Sequence, residues 1–335
     1  MSSTVLVTGA MGCLGAWTVK HLLEDGHRPI AFDLATEKRR LKALLTADEL
    51  AAVSFVQGDL TDEKRVTAVV LDQGIERIVH LAALQVPFCR ANPSLGARVN
   101  VQGTVHVFEA AKAAEIDHLA YASSIAVYGP TSDYAAGLVS NSAPKRPRTL
   151  YGVTKIANEG TAEVYWLDHG ISSVALRPYT VYGIGRDQGV TSEPSVAMAA
   201  AARGEDAHIS FGGEMQFHWA SDVARQFIDA AFGRMKGVAG GGTGVGDGDG
   251  AAASPAGGAR VFDLGGQVVK VDDIAALIER VRPGVRVTVG DGRLPFPSGF
   301  DDAELRAAAE RVYETPLEEG VRQTIAAHEA LSGTA

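Results

Sequence analysis

The sequence has few cysteines, no long apolar run and no excess of positive charge. Its two cysteines, Cys13 and Cys89, are too few for a disulfide framework and lie at no metal-ligand spacing, so we predict no metal site. No apolar run approaches the roughly twenty residues needed to cross a bilayer. A formal net charge of −9 opposes nucleic-acid binding. The first residues, MSSTVLVTGA, lack the features of a signal peptide. We therefore expect a cytoplasmic protein with a small-molecule substrate.

The chain alternates short β-branched segments with amphipathic segments of helical length. The 335 residues, 46% of them hydrophobic, can bury the core of one large domain or of a large domain with a smaller companion. The apolar residues of the candidate strands are nearly continuous, as in parallel strands covered on both faces. This pattern predicts an α/β fold, a Rossmann-type doubly wound parallel sheet. The candidate strands are residues 4–8, 28–33, 53–58, 77–82, 118–124 and 172–178.

A glycine pattern, VTGAMGCLGAW, follows the first candidate strand and opens a helix. Gly9, Gly12 and Gly15 would allow a tight turn whose free N–H groups face a pyrophosphate, where a β-carbon would block the approach. Cys13 and Leu14, in the same turn, are included among the cofactor contacts. Asp33 ends the second strand, at the spacing from which a carboxylate accepts hydrogen bonds from an adenosine ribose. Together these features predict a dinucleotide-binding site.

Asp33 also bears on the choice of dinucleotide. Its carboxylate would repel a 2′-phosphate, which favours NAD over NADP. The basic run Lys38, Arg39, Arg40 either argues for NADP or forms a solvated helix face. Asp59, after the third strand, is placed to meet the adenine, to cap the helix that begins near residue 61, or to do both.

Ordered motifs extend the pattern over most of the chain, and together they resemble the extended short-chain dehydrogenase/reductases, the NAD-dependent epimerase/dehydratase family. The motifs are VTGAMGCLG, GDL, HLAA, VNVQGT, YASSIAVYG, the Tyr151/Lys155 pair, LRPYTVYG and TPLEEG. The resemblance implies NAD at the C-terminal edge of the sheet and a homodimer built on helices near residues 92–114 and 150–169. It also implies further cofactor contacts at Leu60, Leu81, Ala82, Ala83, Asn100, Pro178, Tyr151 and Lys155, with Asn100 chiefly structural.

Tyr151 and Lys155 are four positions apart, one helical turn, so their side chains share a face. Taken alone, such a pair is most often a surface feature. In the setting of the family motifs, a neighbouring ammonium and a positive nicotinamide ring would lower the phenol pKa, so that Tyr151 exchanges a proton with the substrate hydroxyl. Ser124 matches the family's catalytic hydroxyl, which bonds the substrate oxygen, although a simple strand-end hydroxyl remains an alternative.

Two positions depart from the sugar-nucleotide epimerases of this family. Thr180 stands where an asparagine is usual, and Met215 where an arginine is usual. Methionine cannot replace the charged clamp that arginine offers a diphosphate. The loop GIGRDQGVTS instead offers Arg186, which would hold a carboxylate or a phosphate or else form a structural ion pair within the loop. The candidate substrate contacts are Gln85, Ser124, Thr180, Arg186 and Gln188.

These observations predict an NAD-dependent oxidoreductase that acts on a secondary alcohol of a sugar or sugar acid without a nucleotide. The alternatives are a nucleotide-sugar 4-epimerase that retains NAD, and an NAD-binding sensor or scaffold without turnover. Residues 1–176 are expected to bind NAD, and residues 177–335 mostly to bind substrate, with some segments returning to the sheet. Residues 237–258, mostly small, are expected to form a flexible insertion.

Overall fold

The computed structural model describes residues 2–236 and 257–333. Most of the expected insertion, residues 237–256, lies outside the described residues. The strands are β1 Thr4–Thr8, β2 Arg28–Asp33, β3 Ser54–Gln57, β4 Arg77–His80, β5 His118–Ala122, β6 Ser172–Arg177, β7 Thr180–Tyr182, β8 Ala207–Phe211, β9 Glu214–Trp219, β10 Ala259–Asp263, β11 Val268–Lys270 and β12 Val287–Gly292.

Helices connect these strands. They are α1 Cys13–Glu24, α2 Arg39–Lys42, α3 Ala47–Ala52, α4 Glu63–Asp72, α5 Val86–Ala91, α6 Pro93–Ala97, α7 Gly103–Ala113, α8 Leu150–His169, α9 Glu193–Ala202, α10 Ala220–Ala231, α11 Val271–Val281, α12 Ala303–Ala308 and α13 Leu317–Gly333. Short 3₁₀ turns occupy Ile125–Val127 and Thr131–Asp133, and a π-helical turn, Arg98–Gln102, joins α6 to α7.

Seven parallel strands form the main sheet in the order β10-β6-β5-β4-β1-β2-β3. The order reverses between β1 and β4, which creates a crevice at their carboxyl ends, the usual ligand position in such sheets. The predicted fold class is confirmed. The predicted strands β1 and β2 have the observed bounds, whereas β3 to β6 each end one or two residues earlier than predicted.

Both faces of this sheet are covered. Val5 and Val7 of β1 belong to a core cluster with Trp17 of α1 and Phe227 of α10, while the intervening Leu6 packs in a cluster on the opposite face, which includes residues of α4 and α7. Since successive side chains of a strand alternate between faces, continuous apolar runs are what a doubly covered sheet requires. Burial of these strands therefore fixes the crevice that holds the candidate site.

The remaining strands form two small sheets, one of β11-β9-β7 and one of β12-β8. Their core lies beside the main sheet and includes Tyr179, Met215 and Phe300. The expected helix over residues 92–114 is divided into α6, the π-helical turn and α7. The helix that precedes the expected insertion, α10, ends at Ala231.

Candidate active site

The glycine turn between β1 and α1 can be built only with glycine at two of its positions. Gly9 has φ +71°, and a β-carbon there would lie 2.8 Å from the Ala82 backbone. A β-carbon on Gly15 would lie 2.1 Å from the Gly9 carbonyl oxygen. The turn leaves the amide end of the twelve-residue α1 facing the crevice. This cradle fits a dinucleotide pyrophosphate, because free N–H groups and the helix dipole favour a negative group there.

A cavity of about 680 Å³ occupies the crevice, a volume suited to an organic ligand. It brings together nearly all of the residues predicted from the sequence. The predicted residues in its lining are Gly9, Gly12, Cys13, Leu14, Gly15, Asp33, Asp59, Leu60, Leu81, Ala82, Ala83, Gln85, Ser124, Tyr151, Lys155, Pro178, Arg186 and Gln188. The cavity therefore runs from the glycine turn to the serine, tyrosine and lysine.

Asn100 and Thr180 do not line this cavity, and direct contact roles for them are corrected. The Asn100 side chain is buried and is consumed by hydrogen bonds with both backbone groups of Leu84 and with the Thr154 hydroxyl. The Thr180 hydroxyl is also buried and donates to the Met215 sulfur at 3.2 Å. Asn100 thus fixes the loop after β4. Thr180 and Met215 form a hydrogen bond with each other in the core.

Asp33 is fixed by two backbone donors. Its carboxylate oxygens accept hydrogen bonds from Met11 N and Ala35 N, both at 2.9 Å. The carboxylate thus stays at the cavity edge, where it would meet a ribose. Asp59 accepts a bond from Thr61 N at 2.8 Å, but the cap of α4 is Asp62, whose carboxylate accepts from Arg65 N. The alternative that Asp59 caps that helix is therefore wrong.

Tyr151 lies in the first turn of α8, which Thr149 caps by accepting a bond from Gly152 N. Burial raises the pKa of Tyr151 to about 12, although a hydrogen bond with Ser124 and the charge of Arg186 act in the opposite direction. The expected lowering of this pKa is not produced by the protein groups alone. Desolvation by the cavity walls outweighs the neighbouring donors, since burial penalises the charged form of a phenol.

Lys155 follows one turn later and is buried. Its ammonium donates to the Ala122 carbonyl oxygen at 2.6 Å and lies 5.5 Å from the centre of the Tyr151 ring. Burial lowers the pKa of Lys155 to about 8, with Cys89 and Glu159 partly opposing the shift. The ammonium is therefore oriented by the end of β5, beside the phenol rather than bonded to it.

The loop after β7 brings Arg186 to the cavity, together with Gln188 and Thr191. The adjacent Asp187 forms ion pairs with Arg39 and Arg40. Within the described chain Arg186 has no ion pair, so the alternative of a structural pair inside the loop is corrected. The carboxylate that could have neutralised Arg186 is already taken by the other two arginines.

The sequence interpretation missed Arg40 as a cavity residue. Arg40 lines the cavity, donates to the Met11 and Gly185 carbonyl oxygens at 2.8 and 2.9 Å, and pairs with Asp187. Only Arg39, whose side chain is 61% exposed, resembles the solvated face that was expected. Because Arg40 is engaged by protein groups, it is not a free partner for a 2′-phosphate. The signal in the sequence was Asp187, an acidic residue in the loop after β7 that could pair with an arginine.

Ser123 and Asp222 act through protein contacts. Ser123 donates to Glu159, which in turn receives two hydrogen bonds from the buried Arg177. Asp222 lies in the first turn of α10 but does not cap it, because its carboxylate accepts bonds from the amide and hydroxyl of Thr315. It ties α10 to the segment before α13 and borders a separate cavity of about 240 Å³.

The described residues offer neither a metal-binding cluster nor a membrane-spanning helix. Residues 2–236 and 257–333 contain no cluster of three or more side chains that could hold a metal ion. No helix within those ranges combines the length and the apolar character that a membrane span requires.

Comparison with known proteins identifies relatives. The profile described as "NAD dependent epimerase/dehydratase family" matches residues 5–234. The chain is 31% identical over 243 residues to a UDP-glucose 4-epimerase of Mycolicibacterium smegmatis, covering 71% of this chain and 74% of the relative. Another curated relative is an uncharacterized 37.6 kDa protein of Escherichia coli O111:H-, to which the chain is 32% identical. That match covers 53% of this chain and 54% of the relative, so the chain spans about half of the relative's length.

Solved structures share the fold. MoeE5 in complex with UDP-glucose and NAD matches with a TM-score of 0.76 at 26% identity, covering 99% of this chain and all of that one. The L-threonine dehydrogenase of Clostridium difficile matches with a TM-score of 0.81 at 18% identity, covering 100% and 99%. The second likeness shows the fold alone.

Proposed function

This chain belongs to the NAD-dependent epimerase/dehydratase family, and on that premise we propose that it transfers hydride between NAD and a secondary alcohol of a sugar or sugar-acid-like substrate. The family confirms the expected NAD dependence. The main support for the proposal is that Ser124, Tyr151 and Lys155 line the same cavity as the glycine cradle and Asp33.

In the proposed oxidation, the hydride of the substrate's C–H bond would pass to the cofactor and the proton of its O–H bond to the protein. Bound NAD supplies the hydride acceptor. Tyr151 takes the hydroxyl proton during oxidation and returns it during reduction, while Ser124 bonds the substrate oxygen whose charge changes. Lys155 supplies a nearby positive charge that favours the phenolate. Since protein groups leave the Tyr151 pKa near 12, the positive nicotinamide ring is the further charge needed to ionise it near neutral pH.

The substrate end of the cavity supports a compound without a nucleotide. Thr180 and Met215 bond to each other in the core, so neither position offers a donor to a diphosphate. The cavity lining also includes the apolar side chains of Ile125, Val190 and Phe296. A small substrate that reaches Ser124, Gln85, Arg186 and Gln188 suits this arrangement.

The second candidate is a nucleotide-sugar 4-epimerase that retains NAD. The Mycolicibacterium smegmatis relative carries the name of a UDP-glucose 4-epimerase, which supports this candidate. The ties between the glycine-turn side and the loop after β7 favour retention, because Trp17 and Arg40 both donate to carbonyl groups of that loop. An NAD sensor or scaffold without turnover is disfavoured by the intact serine, tyrosine and lysine.

The fate of NAD separates these candidates. Freshly purified protein is denatured and the released NAD is quantified by mass, and NADH absorbance is then followed with free NAD and simple sugars or sugar acids. NADH accumulation with little retained NAD is expected for a dehydrogenase. Near-stoichiometric NAD without net NADH, together with interconversion of nucleotide sugars, would identify the epimerase and overturn the first proposal. The sensor predicts neither reaction.

The division of labour and the assembly are also proposals. Residues 1–176 bind NAD and carry the catalytic helix, while residues 177–335 mostly form the substrate side.

The chain acts as a homodimer through α8 and the α6–α7 segment. An exposed apolar stripe on α8 supports this assembly: Leu150, Val153, Val164 and Leu167 are 50%, 50%, 52% and 68% exposed. A stripe of this kind is typical of a helix that packs against a partner.

A further inference from the structure

We propose that Arg186 is the receptor for a carboxylate on the substrate, so that the favoured substrates are hydroxy acids rather than neutral sugars. This inference rests on the proposed oxidoreductase function and names the substrate class of the same cavity. Arg186 lines the cavity, and its Nε is buried without a hydrogen-bond partner among the described residues. A guanidinium commonly donates two parallel hydrogen bonds to one carboxylate. A buried Nε without an acceptor therefore indicates that a hydrogen-bond partner is missing.

The electrostatic surroundings leave Arg186 available for an anion. Burial lowers its pKa, because the surroundings penalise its charge without supplying a paired carboxylate. Asp187, the acid next to it in sequence, is held by Arg39 and Arg40. The other described cations in the lining are Arg40 and Lys155, and protein groups engage both. Arg40 has a carboxylate partner and the Lys155 ammonium has a carbonyl partner, whereas the Arg186 Nε has neither in the described part of the chain.

Neighbouring groups shape a small polar site around this guanidinium. One terminal nitrogen of Arg186 donates to the Thr191 hydroxyl at 3.1 Å, which fixes its orientation. Gly189 has φ +103°, and a β-carbon there would lie 2.2 Å from the Gln85 amide oxygen and 3.1 Å from a terminal nitrogen of Arg186. The glycine thus lets the amide of Gln85 and the guanidinium of Arg186 approach the same point. Together they can bond a carboxylate and an adjacent hydroxyl.

The position of this site favours the substrate over the dinucleotide as the source of the anion. Arg186 is electrostatically coupled both to Cys13 in the glycine turn and to Tyr151. The turn already offers the amide end of α1 to a pyrophosphate. The residues within direct reach of Arg186 are Thr191 and Gly189, and Thr191 and Gln85 line the same cavity as Tyr151. A carboxylate held there leaves a carbinol of the same small molecule within reach of Tyr151.

Calorimetric binding to the NADH-loaded protein tests this inference without requiring turnover. The ligands are D-gluconate and D-glucuronate, each compared with its neutral counterpart, sorbitol and D-glucose. We expect at least one acid to bind about 10- to 100-fold more tightly than its counterpart, and Arg186→Gln to abolish that preference, as removal of one partner of a charged hydrogen bond predicts. Arg186→Lys should retain part of it. Arg203→Gln, which removes an exposed arginine paired with Glu205, is the matched control.

The remaining outcomes separate this inference from the proposed function. Equal binding of acids and neutral counterparts, or an acid preference that survives in Arg186→Gln, overturns the carboxylate receptor. A loss of NADH affinity in Arg186→Gln as large as the loss of acid affinity assigns Arg186 to the dinucleotide and also overturns it. Acid binding that depends on Arg186 without NADH production from NAD keeps the receptor and contradicts the oxidoreductase.

Discussion

Arg40, which follows the second strand, and Asp187, in the loop after β7, form an ion pair in the lining of the cavity. Arg40 also donates to carbonyl groups on both sides, Met11 in the glycine turn and Gly185 in the later loop. The glycine turn and the loop after β7 are therefore tied together by one guanidinium. Release of a bound dinucleotide should require this tie to loosen.

Asp187→Asn should accelerate NADH release. The change removes the charge that holds Arg39 and Arg40, and a partly exposed pair of this kind is worth up to about 1 kcal/mol, which corresponds to a roughly 2- to 5-fold faster release. Stopped-flow displacement of NADH measures the rate. Asp25→Asn is the matched control, because Asp25 pairs with Arg225 outside the cavity. An unchanged rate in Asp187→Asn would show that the loop does not limit release.

Tyr151→Phe should abolish turnover and leave NAD binding nearly intact. The substitution removes only the phenol hydroxyl group. Loss of a positioned acid or base costs roughly 10²- to 10⁴-fold in rate. Steady-state rates and calorimetric NAD binding are measured on the same preparation. If both are lost together, Tyr151 is a structural residue and the catalytic role is wrong.

The ionisation of Tyr151 should respond to the cofactor's charge. Because burial raises its pKa to about 12, the dinucleotide-free protein should show no Tyr151 phenolate below about pH 10. Bound NAD, with its positive ring, should shift the ionisation to lower pH, and NADH should not. The measurement is tyrosinate absorbance of the wild type minus that of Tyr151→Phe across pH. Ionisation near pH 7 without dinucleotide would mean that protein groups alone lower the pKa.

Thr180→Val should leave substrate kinetics within about twofold of the wild type. The hydroxyl is buried and meets only the Met215 sulfur in the described contacts, so its loss should cost about 1 kcal/mol or less of unfolding free energy. Steady-state kinetics and urea unfolding test both expectations. Ser124→Ala, which removes a hydroxyl that does line the cavity, is the comparison. A tenfold rise in KM at unchanged stability would return Thr180 to the substrate site.

Leu167→Glu should convert a homodimer to monomers. Leu167 is the most exposed apolar side chain of the α8 stripe, and a carboxylate there would have to be buried in the proposed interface. Analytical ultracentrifugation measures the mass. Leu71→Glu, at a leucine that is 51% exposed on α4, is the matched control. A wild-type monomer, or a variant that stays dimeric, contradicts the proposed assembly.

Local patterns predicted much of the fold and the cofactor side of the site. The continuous apolar strands indicated a doubly covered parallel sheet, and Gly9 and Gly15 lie where a β-carbon would collide with backbone. The helical spacing placed Tyr151 and Lys155 on one face and in one cavity. These features depend on backbone geometry over a few residues, and such geometry is encoded by residue type and spacing.

The partners of the charged and polar side chains depended on the tertiary structure. The sequence could not show that Asp187 pairs with Arg40, 147 positions away, or that this leaves Arg186 without a counter-ion. Nor could it show that Thr180 bonds Met215 in the core or that cavity walls raise the Tyr151 pKa. Ion pairing and desolvation depend on which distant segments pack together. The sequence by itself therefore determined the sheet, the glycine turn and the placement of Tyr151 and Lys155 on one helical face, while packing decided which charged groups lack a protein partner.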